Sequence, residues 1–406
     1  MGASTDHALG RNLRFFVKKE IDSGTLIPGG RYGASNQLAV AGGDAAKVLS
    51  SSMSFMVTRN DRMDSRTSRS VLERITGKQE ISWSCESYLL PVGSTTAPDI
   101  DPLIEAAMGG GFGASTSNTY KFSDTNALPT CRIARTANGV LREDLFGAYV
   151  EEMGISSSGG DEPKITFSGG AFNYALTGTG TTHGSSSVTS TSVPLVTGDG
   201  VNFMVGSCID INGGSAIVTA KSAADTLTVT SGTYTNNEAV TPETYTETVG
   251  SASPINGISG RLQLNNVTLP VTSFDVTITN GIKAISDEAF EKGTSDFVAG
   301  YRSVKGNVSV RARKDMIKHF AQRYVQLNGT DPNATNYDPT FTGVELEVIL
   351  GSTTGKCVIV TMPKVELDFG GIDIPEAEEA VLNLPFTALG TSGGDELTLA
   401  WNQNPS

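Results

Sequence analysis

The chain has 406 residues and a formal net charge of -13, with 18% charged residues, 38% hydrophobic residues and 46 glycines. This acidic balance excludes binding of duplex DNA through phosphate neutralisation, which needs clustered Lys and Arg. Low charge with many Gly, Ser and Thr favours strands joined by turns, and the length allows two or three domains. No apolar run is long enough for a membrane span, and the first ten residues lack the apolar core of a signal peptide.

Four cysteines are scattered without a Cys-x-x-Cys pair: Cys85, Cys131, Cys208 and Cys357. This spacing argues against a metal site or a disulfide framework. Cys85 and Cys357 lie in alternating apolar segments, so we predict buried free thiols. Together with the N-terminus, this predicts a protein made and kept in a reducing cytoplasm until it is assembled or released.

The first structural signals are strands and a polar stretch. Residues 13–43 predict a strand, a turn at residues 28–30 and a loop, and residues 45–57 predict a second strand. Its end belongs to the segment Ser54-Phe55-Met56-Val57-Thr58. Residues 60–76 then form an Arg-rich stretch of mixed sign. We predict a loop, which either is solvated or pairs its charges with a neighbouring subunit, because Arg is favoured at interfaces.

A strand, a helix and a hairpin follow. Residues 81–86 alternate with period two, as a half-buried strand does. Asp101 reads as an N-cap with Pro102 at the first helical position, and Gly109 ends the helix. The apolar stripe of this helix consists of Leu103, Ile104, Ala107 and Met108. Residues 131–135 and 146–155 predict a hairpin around Asn138-Gly139, and residues 164–167 predict a closing strand.

The second half repeats this order. Ser273-Phe274-Asp275-Val276-Thr277 begins it, a loop over residues 280–299 follows, and residues 304–310 form the next strand. The apolar stripe of the second helix consists of Met316, Ile317, Phe320 and Tyr324. Residues 344–350 and 356–361 predict a hairpin, and residues 365–369 and 381–388 predict the last strands. We interpret the shared order as duplication of one module.

A different segment separates the halves. Residues 174–253 are rich in Thr, Ser and Gly and nearly free of Lys and Arg, with short alternating segments at 203–211, 216–220 and 226–230. This pattern predicts a small inserted β-domain. The predicted domains are therefore residues 1–173, 174–253 and 254–406.

Residues with catalytic spacing are missing from the sequence. The three histidines, His7, His183 and His319, are far apart, and no nucleophile, zinc or phosphate-loop motif is present. The glycine run at residues 109–113 follows a helix instead of opening one, so it predicts a helix stop. We predict no catalytic, cofactor-binding or metal-binding residue and no enzymatic activity.

Charge is uneven along the second half. Residues 302–323 are mostly basic, and residues 345–396 are mostly acidic. Opposite faces of this kind would suit head-to-tail stacking of copies, although ordinary surface charge is an equally simple interpretation.

Residues 54–108 and 273–324, with the hairpins and strands at 131–167 and 344–389, resemble the tail tube (major tail) proteins of long-tailed bacteriophages. The resemblance implies a mainly β fold with two tail-tube-like β-sandwich or barrel modules, each with a short α-helix. It implies that the inserted β-domain lies on the outer surface. Modules of this family close into rings with a continuous inner β-barrel, and the rings stack into a tube.

The resemblance also implies partners and an interface. Two modules per chain predict trimeric, pseudo-hexameric rings stacked head to tail, in a virion tail assembled with other tail proteins from subunits made in the host cytoplasm. DNA would pass through the lumen without sequence-specific binding. The loops at 60–76 and 280–299 would reach the adjacent ring. The predicted inter-ring residues are Arg59, Arg62, Arg66, Arg69, Arg74, Lys283, Asp287 and Glu288.

A second hypothesis is a cell-surface or fibre-like β-sandwich binding protein, which the Thr/Ser/Gly-rich insert would suit. The lack of a signal peptide and the Arg-rich stretch argue against it. An enzyme remains a third hypothesis, and it would require a pocket that groups residues distant in the sequence.

Overall fold

A computed structural model of the chain describes residues 13–20, 40–61, 74–93, 95–113, 118–123, 128–137, 139–184, 188–189, 191–230, 233–246, 248, 252–258, 260–264, 267–285, 293–294, 296–312, 343–368, 372–373 and 380–405. Over these residues the protein is mainly β, as predicted, with 28 strands and one α-helix. The second predicted helix and the turn at residues 28–30 lie outside the described residues.

The first half contains nine strands and the helix. They are β1 Leu13–Lys19, β2 Ala45–Ala46, β3 Ser50–Asp61, β4 Arg74–Tyr88, α1 Asp101–Met108, β5 Thr119–Lys121, β6 Cys131–Ala137, β7 Leu141–Ser158, β8 Lys164–Gly170 and β9 Asn173–Thr177. Seven strands pair antiparallel in the order β2-β1-β6-β7-β8-β4-β3, and β9 pairs with the beginning of β7.

The strands of the second half pair in the same order. They are β18 Gly260–Leu264, β19 Val267–Leu269, β20 Val271–Thr279, β21 Lys283–Ile285, β22 Asp296–Val298, β23 Ser303–Arg311, β24 Val344–Leu350, β25 Cys357–Leu367, β26 Ile372–Asp373, β27 Val381–Ala388 and β28 Thr398–Gln403. The order is β19-β18-β24-β25-β27-β23-β20, and β28 pairs with the beginning of β25. Each of these eight strands therefore has a counterpart at the same place in the pairing order of the first half, whereas β21, β22 and β26 have none.

One hydrophobic core serves both halves. Trp83 and Phe167 of the first half belong to the same buried cluster as Phe274 and Phe386 of the second. The period-two alternation that predicted the strands arises from burial in this core, because every second side chain of a strand points to one face of the sheet. All four cysteines are free and buried, as predicted for Cys85 and Cys357.

The segment between the halves forms a separate six-stranded sheet with its own apolar cluster. Its region contains β10 Gly180–Thr181, β11 Val188–Thr189, β12 Ser192–Pro194, β13 Cys208–Ile211, β14 Gly214–Ala223, β15 Thr226–Val229, β16 Thr233–Tyr234 and β17 Ala239–Pro242. The prediction of one strand over residues 203–211 was wrong at its start, because a 3-10 turn at Asp199–Asn202 precedes and the strand begins only at Cys208.

A buried ionic cluster fastens this insert to the first half. Asp144 of β7 accepts hydrogen bonds from Arg142 (2.7 and 2.8 Å) and Arg132 (3.1 Å), and all three are at most 1% exposed. Burial opposes ionisation of Asp144, but the two guanidinium charges outweigh it and hold its pKa below the ordinary value. From the insert side, Cys208 accepts from Arg132 (2.7 Å), and the carbonyl of Glu243 accepts from Arg142 (3.1 Å).

Several predicted boundaries need correction. The stretch 60–76 is not a loop at its ends, since β3 continues to Asp61 and β4 begins at Arg74. Residues 280–299 likewise contain the paired strands β21 and β22. The strands predicted at 356–361 and 365–369 are one strand, β25, because a register shift between residues 344 and 346 of its partner absorbs the change of phase.

The pentapeptides Ser54-Phe55-Met56-Val57-Thr58 and Ser273-Phe274-Asp275-Val276-Thr277 have the same residue type at four of five places. They lie in counterpart strands but at different rungs. Phe55 is opposite Ile81, seven residues before the end of β4 at Tyr88. Phe274 is opposite Val308, only three residues before the end of β23 at Arg311. The shared letters are therefore offset along the strand, and the order of pairing is the stronger likeness between the halves.

Helix α1 begins differently from the prediction. Ile100 is the N-cap, Asp101 is the first helical residue, and Gly109 ends the helix in the left-handed region (φ 75°). The Asp101 carboxylate accepts a hydrogen bond from Tyr120 Oη at 2.6 Å instead of capping the backbone. Burial raises the pKa of Asp101 to about 6, with Glu105 adding to the rise, while the Tyr120 bond and Lys19 oppose it.

This raised pKa predicts a pH-dependent effect of Asp101→Asn. The folded state disfavours the ionised form of Asp101. The free-energy cost of ionising it in the folded protein is therefore absent below about pH 4 and complete above about pH 6. The amide keeps an acceptor for Tyr120 and removes this cost. Relative to wild type, we expect the variant to gain up to about 3 kcal/mol between pH 4 and pH 8. Denaturant unfolding of both proteins across this range measures the gain, and a difference independent of pH would contradict it.

Candidate assembly surfaces

The two halves are joined by an antiparallel ladder between β20 and β7. It runs from Ser273 opposite Ser158 to Thr279 opposite Glu152 without a register shift. Phe274, Val276 and Ile278 of β20 face the core and are each at most 2% exposed. This half-to-half junction makes one continuous sheet in the order β3-β4-β8-β7-β20-β23-β27.

Asn280 fixes the end of this junction. It directly follows β20 and is buried, and its side-chain amide donates to the carbonyls of Ala107 (2.9 Å) and Val150 (3.0 Å). Its backbone N–H donates to the carbonyl of Glu151 at 2.9 Å. One residue therefore connects the last turn of α1, strand β7 and strand β20.

The continuous sheet ends in edges that have no neighbouring strand within the described chain. β3 pairs only with β4, and β26 and the end of β25 after Val365 pair only with β27. These are the counterparts of the two edges that meet in the half-to-half junction. Residues 50–58 of β3 contain no charged residue and no proline, the features that usually protect an edge strand from pairing.

The core-facing side of β3 is also incompletely covered. Phe55 is 37% exposed and stacks on Tyr174 (5.3 Å between ring centroids), and Met53 is half-buried. The corresponding side chains of β20 are fully buried against the first half. One contact occupies the outer edge of β3, where the carbonyl of Ser51 accepts a hydrogen bond from Arg135 at 2.9 Å.

The outward side of the continuous sheet is covered by small hydroxyl and amide side chains, and we call it the hydroxyl face. Rungs across it include Ser52-Ser84-Ser168 and Ser158-Ser273-Ser309-Asn383. Directly opposite residues of neighbouring strands share a face, so these rungs place their side chains on the same side of both halves. Ser309 and Asn383 bond to each other at 2.9 Å.

Few charges interrupt the hydroxyl face. Its rungs carry the acidic residues Glu86, Glu152, Asp275 and Glu366 and the basic residues Lys164, Lys305 and Arg311. Glu86 and Lys164 form an ion pair at 3.1 Å. Burial raises the pKa of Asp275, against a hydrogen bond from the Asn307 backbone. The face is thus close to neutral with a small acidic excess.

Two hairpin arms extend from one end of this sheet. Arm 1 consists of residues 56–61 of β3 and residues 74–80 of β4, which pair only with each other, and arm 2 consists of β21 and β22. Of the predicted inter-ring residues, Arg59 and Arg74 lie exposed on arm 1 and Lys283 lies exposed on arm 2. Arg74 pairs with Asp61 of its own arm at 2.7 Å. Arg62, Arg66, Arg69, Asp287 and Glu288 lie outside the described residues.

The predicted basic and acidic stretches of the second half do not form two separate faces. Strands β23, β25 and β27, which carry parts of both, pair within one sheet. Arg302 of the basic stretch binds Glu396 of the acidic stretch through both carboxylate oxygens (2.7 and 2.9 Å) and stacks on Phe122. This pair neutralises charge within one chain.

Within the described ranges, no group of three His, Cys, Asp or Glu side chains is arranged as metal ligands would be. In the same part of the chain, no helix combines the length and apolarity that crossing a bilayer requires.

No protein-family model matches the chain, and no curated protein has a significantly similar sequence.

The hydroxyl face and the junction were not predicted, although part of their signal is in the sequence. The polar positions of the strand patterns are mostly Ser, Thr or Asn, whereas ordinary exposed strand faces carry Lys and Glu as well. The sequence could not predict that β7 is the partner of β20, because the pairing of two distant strands does not change the residue pattern of either strand.

The contacts of Asn280 predict a destabilised half-to-half junction in Asn280→Ala. The substitution leaves the carbonyls of Ala107 and Val150 without this donor in a buried place, which costs about 1–3 kcal/mol. The control is Asn307→Ala on the hydroxyl face, where the amide makes one 3.4 Å contact and we expect a change of about 0.5 kcal/mol or less. Equilibrium denaturation measures both, and equal effects would refute this role of Asn280.

Proposed function

We propose that the two halves are copies of one module and that the chain is a ring-forming structural subunit. The observation that carries this proposal is the half-to-half junction together with the two free edges that correspond to it. β20 pairs with β7 inside the chain, so β3, the counterpart of β20, can pair with β25 and β26, the counterpart edge, of the next copy. Such head-to-tail contacts give rings when the rotation closes.

Closure of the ring accounts for the unprotected strand edges. A closed sheet has no free edges, so β3 needs no charged or proline residue for protection once a neighbour covers it. The same neighbour would cover Met53 and Phe55, as the first half covers Phe274 and Val276. With two modules per chain and the six modules that tail tube rings contain, we propose three chains per ring.

The hydroxyl face supports a conduit as the function of the ring. Its near-neutral, slightly acidic surface offers few cations to bind phosphates, so a polyanion can pass without being held. We propose that this face lines the lumen of a stacked tube that delivers DNA, as in the tails of long-tailed bacteriophages. The partners are then further copies, other tail proteins and the passing DNA, and the location is the virion tail.

Electron microscopy of the purified chain tests the assembly. We expect rings or tubes with three copies per ring for wild type, and only single subunits for Phe55→Lys, because a charge at this free edge opposes pairing with a second copy. Val201→Lys is the control, since Val201 is 78% exposed on the insert and away from the edge. Isolated wild-type monomers under all conditions would contradict the proposal. A ring of six chains would refute the proposal that each chain contains two modules.

Labelling of a cysteine tests the lumen. Ser84 is exposed on the hydroxyl face, and the native thiols are buried. In assembled tubes we expect Ser84→Cys to react with a small maleimide but not with a maleimide carried on a long polyethylene glycol. Ser222→Cys, exposed on the insert, should react with both. Equal reaction of Ser84→Cys with both reagents would place this face outside the tube.

A further inference from the structure

The outer edge of β3, which has no neighbouring strand in the described chain, is held by side chains of its own half. Arg135 of β6 donates a hydrogen bond to the carbonyl of Ser51 at 2.9 Å. Tyr174 of β9 stacks on Phe55, with 5.3 Å between the ring centroids. Glu143 of β7 connects the two, because it accepts hydrogen bonds from Arg135 Nε (2.7 Å) and from Tyr174 Oη (2.8 Å). We call Arg135, Glu143 and Tyr174 the edge clamp.

The edge clamp is largely shielded from water. The side chains of Arg135 and Glu143 are 16% and 13% exposed, and Tyr174 is 9% exposed. Burial raises the pKa of Tyr174, and the Glu143 carboxylate adds to the rise, so the phenol stays protonated and donates to Glu143. An ion pair in such a place is screened by salt much less than a surface pair. The clamp is therefore a built contact of the first half.

Apolar residues occupy the corresponding positions of the second half. One core-facing rung is apolar in both halves, with Val17-Ile133-Leu145 in the first and Leu264-Leu346-Met362 in the second. At the next rung the first half has Phe15-Arg135-Glu143, whereas the second has Leu262-Val348-Val360. All three residues of the latter rung are at most 3% exposed. The pairing order common to both halves therefore does not require a charged pair at this rung.

The difference between the rungs follows the pairing of the neighbouring strand. β20, the counterpart of β3, is paired with β7 from Ser273 to Thr279, so its edge is covered by a ladder. β3 has no such neighbour in the described chain, and there Arg135 supplies a donor to the Ser51 carbonyl. A strand that pairs with β3 at Ser51 needs the place that the Arg135 guanidinium occupies. The half with the uncovered edge is thus the half in which a side chain closes that edge.

We propose that the edge clamp is an autoinhibitory contact, which closes the β3 edge of a single chain and opens before that edge pairs with a second copy. This proposal rests on the proposed function, in which β3 is the pairing edge. Opening is reversible, because Arg135 keeps its ion pair with Glu143 when it releases Ser51. The Ser51 carbonyl then exchanges the guanidinium donor for a backbone N–H of the incoming strand. The clamp thereby raises the protein concentration that assembly requires.

Removal of the clamp tests the proposal. In the double variant Arg135→Val/Glu143→Val, two valines reproduce the rung of the second half. We expect this variant to form rings at about one tenth of the concentration that wild type needs, a ratio that corresponds to about 1.4 kcal/mol. Sedimentation of a dilution series measures the concentration at which half of the protein is assembled. In Arg135→Met, which removes the donor to Ser51 but leaves Glu143 its bond from Tyr174, we expect a decrease of similar size.

The matched control is Arg302→Val/Glu396→Val. This ion pair has a similar exposure, with side chains 18% and 22% exposed, and it bonds through both carboxylate oxygens. Arg302 directly precedes β23, which four strands separate from β3 in the continuous sheet. We expect this variant to lose stability and to assemble at the wild-type concentration.

Hydrogen exchange of chains too dilute to assemble measures the clamp without the ring. We expect the amides of residues 50–55 to exchange about tenfold faster in Arg135→Met than in wild type, because local opening of β3 becomes easier. The control Arg302→Val/Glu396→Val should leave the exchange of these residues unchanged. Equal exchange in Arg135→Met and wild type would show that the clamp does not hold β3.

The outcomes separate this proposal from the proposed function. Rings that form at the same or a higher concentration after removal of the clamp overturn the autoinhibition and leave the proposed function intact. The same decrease in the Arg302→Val/Glu396→Val control would also overturn it, because loss of any ion pair would then favour assembly. Absence of rings from wild type and variants alike removes the proposed function and the autoinhibition together.

Discussion

The antiparallel ladder between β20 and β7 is the contact on which the rest of the structure depends. Side chains alternate along a strand, so a slip of one residue would turn Phe274, Val276 and Ile278 to the wrong face. The observed register puts the apolar side chains of both halves into one core and the hydroxyl side chains of both halves onto one surface. Asn280 holds this register, because its bonds to Ala107 and Val150 form only at one position of β20.

The same ladder also determines which strand edges of the chain have no neighbouring strand. β20 and β7 pair inside the chain, whereas their counterparts, β3 and the end of β25, have no neighbouring strand on their outer edges in the described chain. Soluble monomers usually protect such edges with lysine, proline or a bulge. Residues 50–58 of β3 contain neither lysine nor proline, and the register shift lies only after Val57. Residues 50–58 thus lack the features that usually prevent an edge strand from pairing with another strand.

Local features of the fold were predictable from the sequence, and non-local ones were not. Period-two alternation located the cores of β4, β20, β23 and β27, since burial of one face imposes it. Asp101 was misread as a cap because Asp and Pro favour neighbouring positions, and only the distant Tyr120 decides where the carboxylate points. β25 was predicted as two strands, because its bulge between residues 362 and 365 shifts the phase of the alternation without ending the strand. The arms were read as loops, since exposed strands on both sides of a hairpin lose the alternation.

The buried cluster of Arg132, Arg142 and Asp144 has a consequence for protein engineering. It lies on the hairpin of β6 and β7, but it is completed by Cys208 and the Glu243 carbonyl from the insert. Excising the insert as a cassette would open two guanidiniums and a carboxylate to partial hydration, so the insert is not an exchangeable module. A foreign epitope for surface display belongs instead at the exposed turn of Asn236 and Asn237, where the chain reverses before β17 without touching that cluster.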